Sequence, residues 1–101
     1  MKRINLLALS MLAWTGAFAS QVQVAVVPTA WKLENYVGGR VALWNTGSPC
    51  SGGLLNLAAG ATQNDHSRLF AAVVSGKAAG KTVFLIYETT DCTILSFGLQ
   101  N

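Results

Sequence analysis

The sequence predicts an α+β fold, mostly β: a small five-stranded barrel with one helix between its third and fourth strands. Three observations predict it. Short β-prone runs alternate with Gly, Asn and Thr turn signals along most of the chain. A single segment, near residues 62–79, repeats its apolar residues at helical spacing. The 101 residues, 51% of them apolar, make one small domain, too hydrophobic to stay disordered.

The chain opens as an export signal. Lys2 and Arg3 supply positive charge, and an apolar stretch from Ile4 to Trp14 follows, broken only by Asn5 and Ser10. Ala17-Phe18-Ala19 then places small residues where signal cleavage needs them. The apolar run is shorter than the roughly 20 residues that span a bilayer. Residues 1–19 are thus expected to be a secretory signal peptide, and residues 20–101 a single disulfide-bridged domain with no membrane span. The expected location is the periplasm or the medium.

Cleavage removes the apparent basicity. The remaining cations are Lys32, Arg40, Arg68, Lys77 and Lys81, against the anions Glu34, Asp65, Glu88 and Asp91. No Lys/Arg cluster is left to track a phosphate backbone, so nucleic acid is not an expected partner. Export also decides how the cysteines are read. Cys50 and Cys92 form an even pair in a small exported domain, which predicts a disulfide. A zinc site would want more Cys or His at close spacing, and the chain has one His. No metal and no cofactor are expected.

In order, Gln21–Val27 alternates Gln and Val before a short apolar end, a half-buried strand that Pro28 stops. Trp31–Val37 is mixed, and either prolongs that strand or loops away. Gly38-Gly39 signals a turn, and Arg40–Trp44 reads as the second strand. Asn45–Gly53 is turn-rich and carries Cys50; Leu54–Leu57 is a short third strand. Thr62 or Asn64 caps the helix, and Asp65 places negative charge in its first turn. Leu69, Phe70, Val73 and Val74 are expected to form its buried stripe, with Gly80 as terminator. Thr82–Tyr87 and Thr93–Leu99 complete the strands around the turn Thr89-Thr90-Asp91. Three strands, a helix, then two strands is the element order of the OB-fold.

The run Leu69–Tyr87 (LFAAVVSGKAAGKTVFLIY), then Cys92 and the ending Phe97-Gly98-Leu99, resembles small exported bacterial proteins. Those are similar in layout to the receptor-binding B subunits of the subtilase-cytotoxin and pertussis-like toxins. The shared features are the signal peptide, the helix, a small residue-Gly-Lys-x-Val lead into a strand, and a disulfide near the last hairpin. The resemblance implies an OB-fold, a pentameric ring and glycan binding. It carries no sugar-contacting residue onto this chain.

Catalytic patterns are missing. Asp65-His66-Ser67 occupies consecutive helix positions about 100° apart, so the three cannot bond in series as a triad must. His66, at the start of the apolar stripe, reads as a packed or capping residue. Gly47–Gly53 lacks the lysine and the helix of a phosphate loop. The four carboxylates are scattered, and no enzyme is expected.

Aromatic residues point instead to recognition. Trp and Tyr offer flat apolar faces with a polar edge, suited to sugars or partner side chains. Trp44 alternates with Ala42 and reads as core. Trp31, after a Pro turn, is the expected ligand-contacting residue, with Tyr36 as its helper. The helix face carrying Arg68, Ala71, Ala72, Ser75 and Ala79 is mostly small, and such a stripe lets a second helix approach closely. A homo-oligomer is therefore expected. The function expected is an exported, non-enzymatic binding module for glycan or protein surfaces. A structural or interaction protein forming a homo-oligomer without a small ligand is the alternative.

Overall fold

The computed structural model describes residues 20–100, so the expected signal peptide lies outside the described residues. The described chain is α+β and mostly β: one six-stranded sheet and a single α-helix. The strands are β1 (Gln21–Val26), β2 (Lys32–Asn35), β3 (Val41–Trp44), β4 (Leu54–Leu57), β5 (Val83–Glu88) and β6 (Thr93–Leu99). Helix α1 (Gln63–Ala79) follows β4, and one 3-10 turn, Ser51–Gly53, precedes it.

The sheet order is β1-β5-β6-β4-β3-β2. Two corrections follow. The sheet has six strands rather than five, and it is open, with β1 and β2 as its edges. The additional strand is β2, cut from the mixed stretch Trp31–Val37. It pairs antiparallel with β3, from Lys32 opposite Trp44 to Asn35 opposite Val41. Gly38 and Gly39, at φ 104° and 94°, provide the left-handed turn between them. Only Leu33 in β2 carries an apolar side chain, too little alternation for the sequence to separate it from a loop.

Two antiparallel halves build the sheet. β1-β5-β6 is ordered by long ladders, and β2-β3-β4 by short ones. Between the halves, β4 and β6 run parallel and share only two residue pairs, Asn56 with Thr93 and Leu57 with Ile94. The disulfide Cys50–Cys92 joins the same two halves, from the loop before β4 to the turn before β6. Cys92 sits at φ 57°, the left-handed position that ends the β5–β6 turn, and its N–H donates to the Glu88 carbonyl at 2.9 Å.

Helix α1 starts on a capping box. The Asp65 N–H donates to Thr62 Oγ1 at 3.2 Å, and the Thr62 N–H donates to Asp65 Oδ2 at 2.9 Å. The Thr62 backbone N–H, with the Thr62 side chain second, holds the Asp65 carboxyl below its usual range. At the other end Gly80, at φ 66°, provides the left-handed C-terminal residue.

The buried helix stripe is Leu69, Val73 and Gly76. Phe70 and Val74, expected in it, are 39% and 40% exposed, which corrects that expectation. Each lies one residue beyond Leu69 or Val73, about 100° further around the helix, which carries it off the buried stripe toward the outer face. Gly76 takes part because a side chain there would collide. A Cβ would lie 2.5 Å from Val83 Cγ2 and 3.1 Å from Pro28 Cδ. The helix is thus seated directly on β5 and on the β1–β2 connection. Its buried face packs with Val41, Leu43, Leu55, Leu85, Tyr87 and Ile94 from the sheet to form the core.

Candidate functional site: the β2–β3 hairpin

Trp31 does not reach a surface. It is 5% exposed and belongs to the core cluster, which corrects its reading as an exposed aromatic. The cause is the path of the β1–β2 connection. Pro28 is buried beside Gly76, and the Thr29 carbonyl accepts from Lys77 Nζ at 3.5 Å, so the connection is drawn onto the helix. The Trp31 N–H donates to the Pro28 carbonyl at 3.4 Å, and that turn carries the indole inward.

Tyr36 has the opposite fate, half-buried where β2 enters its turn. It is joined by Trp44, which departs from its core reading. Trp44 pairs with Lys32 and with Leu54, on the opposite sheet face to the fully buried Leu43. The two aromatics share a carboxylate. Trp44 Nε1–H donates to Glu34 Oε1 at 3.0 Å, and this bond leads the causes holding Glu34 below its ordinary value, with the Tyr36 hydroxyl second. The same carboxylate raises Tyr36, whose hydroxyl keeps its proton.

Cations complete the cluster. Arg40 Cζ lies 4.1 Å from the Tyr36 ring centroid, and Lys32 Nζ lies 5.3 Å from that of Trp44. A four-residue strand and a glycine turn thus gather Lys32, Glu34, Tyr36, Arg40 and Trp44 into one polar, aromatic surface. The missing sequence signal was pairing: without β2 as a strand, Glu34 has no register against Trp44. Of the two predicted ligand residues, Tyr36 is here and Trp31 is not.

Glu34 gives this surface a pH signature. Its carboxyl is lowered on folding, so its contribution is present above the ordinary carboxylate value and is lost as pH falls through the lowered one. Trp44 fluorescence is expected to hold steady from neutral pH down to the ordinary carboxylate value and to change only as pH falls below it. A Glu34→Gln variant, followed in the same acid titration, should lose that step.

Below the hairpin, where β3 begins, a notch of about 320 Å³ is lined by Arg40, Asn56, Leu57, Ala58, Ala59 and His66. His66 is half-buried, and its Nδ1 accepts the Val41 N–H at 3.0 Å, clipping the helix to the start of β3. A second cleft, of about 280 Å³, lies between the helix start and β6 and is mainly apolar, with Leu57, Ile94, Leu95 and Phe97 in its wall.

The predicted contact stripe lies on α1. Arg68, Ala71, Ser75 and Ala79 are exposed, whereas Ala72 is half-buried. Among the described residues no group of three or more His, Cys, Asp or Glu could hold a metal ion, and no helix is long and apolar enough to cross a membrane. No family model, no curated protein and no solved structure matches the chain.

Proposed function

We propose that the chain is an exported, non-enzymatic binding module that recognises glycan or protein surfaces, with glycans the leading class. One observation carries this reading: Tyr36 and Trp44 are half-exposed on one hairpin and each is braced by a neighbour, Tyr36 by Arg40 at 4.1 Å from its ring centroid and Trp44 by the Glu34 carboxylate at 3.0 Å. Aromatics whose orientation is fixed before binding lose little freedom when a ligand stacks on them. Arg40 and Lys32 add charged donors at the rim. The disulfide is compatible with an oxidising, exported location. The toxin B-subunit layout belongs to the same proposal, supported by a single helix that precedes the last two strands of a mostly β domain.

A glycan array probed with protein lacking residues 1–19 tests it. Binding is expected, and Tyr36→Ala should weaken it at least tenfold while leaving the melting temperature within a few degrees.

An assembly reading has its own support. Edge strand β1 carries no charged residue, unlike β2 with Lys32 and Glu34, and natural edges are usually guarded by charge. The outer helix face exposes Phe70, Ala71, Val74 and Ala78. A homo-oligomer, with a ring of five as first expectation, should appear by light scattering at micromolar concentration. Ala71→Glu, on the exposed stripe, should dissociate it if the helix is the contact.

A further inference from the structure

β1 is one edge of the open sheet, and its ladder with β5 fixes which of its backbone groups face outward. The Thr89 N–H donates to the Ser20 carbonyl at 2.9 Å. The register, with Gln21 opposite Glu88, makes Ser20 and Thr89 facing residues, so they form a hydrogen-bonded pair. Such pairs alternate along an antiparallel ladder, and Val22, Val24 and Val26 therefore bond to β5. Gln21, Gln23 and Ala25 turn their N–H and carbonyl groups outward, along an edge that no described strand covers. Natural edges are usually guarded by charge, proline or a bulge. β1 (QVQVAV) has neither charge nor proline, and its pairing with β5 runs without a register shift. The other edge, β2, is shorter and carries Lys32 and Glu34.

We infer that β1 pairs antiparallel with β1 of a second copy, about a two-fold axis at Gln23. The strand's own sequence selects that occupant over a foreign strand. With Gln23 opposite Gln23 of the second copy, Gln21 falls opposite Ala25, and every outward N–H meets an outward carbonyl. Val22 falls opposite Val24 on the face that packs against the core, where both are half-buried. Val26, 41% exposed, gains Val22 of the second copy as a diagonal neighbour. On the other face the Gln23 side chain meets its own kind, an amide that both donates and accepts. A slip of one residue would set outward groups against inward ones, so the register is specified. No like charges are brought together along the strand. The contact closes at two copies. The inference rests on the assembly reading and moves its contact from the helix to β1.

Light scattering at micromolar concentration and amide exchange, both on ¹⁵N-labelled protein lacking residues 1–19, test it. The mass of two copies is expected. Gln23→Lys alters an exposed side chain and sets two ammonium groups face to face, so it should weaken pairing at least tenfold while circular dichroism stays native. Gln23→Pro removes only an outward N–H and should do the same; should it fail to fold, Gln23→Lys decides alone. The Gln21 and Ala25 amides should exchange at least tenfold more slowly in the wild-type pair than in Gln23→Lys. Ala71→Glu, on the helix, should leave the pair intact. A wild-type monomer would end both this contact and the assembly reading. An odd number of copies, free exchange of the Gln21 and Ala25 amides, or an oligomer that Ala71→Glu dissociates and Gln23→Lys does not, would overturn the contact and spare assembly. Slow exchange that arises only when an unrelated extended peptide is added would put a foreign strand on β1 and overturn the second copy.

Discussion

Replacing Cys50 and Cys92 together by Ala is expected to destabilise the domain by about 4 kcal/mol, within the roughly 2–5 kcal/mol typical of small secreted domains. The bridge closes a loop of sequence separation 42, and the chain-entropy model gives that magnitude for a loop of this length. Small domains have about 5–15 kcal/mol in total, so a large share of stability would go. The location sharpens the expectation. The halves β1-β5-β6 and β2-β3-β4 meet through two parallel residue pairs, so nothing else in the sheet strongly resists their separation. Urea unfolding, monitored by circular dichroism, measures the loss. Amide exchange should show Asn56 and Leu57 opening first. A double variant within 1 kcal/mol of wild type would mean that the short β4–β6 ladder and the shared core hold the halves together without the bridge.

Trp31→Ala should be comparably severe, about 3–5 kcal/mol. At 5% exposure its indole fills core volume between the sheet and the β1–β2 connection, and truncation leaves a cavity that the Pro28-anchored turn cannot close. Thermal unfolding decides it. A Trp31→Ala protein that melts like wild type yet fails to bind would return Trp31 to a surface role and contradict its place in the core.

The disulfide and Trp31 show what the sequence made legible. The cysteine pair could be read without geometry because a chain with two cysteines leaves one partner for each, and an expected export favours pairing. The helix end could be read from Gly80, and its start to within two residues, Thr62 or Asn64, since capping chemistry is local; the structure puts the cap at Thr62. Trp31 could not. Its neighbours Ala30 and Lys32 are exposed, and the indole turns inward only because Pro28 docks on Gly76, far along the chain. Phe70 and Val74 failed for a related reason. The sequence gives the helix period, but which side of a broad apolar stripe meets the sheet depends on where Gly76 permits close approach. Alternation with Ala42 reads Trp44 as core, and alternation is also what places it on the face opposite Leu43. Which of the two faces is covered follows from the helix position. The hairpin cluster was half visible: Tyr36 stood out as an aromatic beside a Gly-Gly turn, whereas Glu34 and Arg40 acquired meaning only from the β2–β3 register.

The proposed recognition role of the β2–β3 hairpin is tested most directly by comparing wild type and Tyr36→Ala side by side on one glycan array. Circular dichroism and thermal melting of both proteins show that the fold is shared. The account predicts glycans bound by wild type and lost at least tenfold in the variant, with melting temperatures alike. A silent wild type, or equal signals from two equally folded proteins, would contradict it.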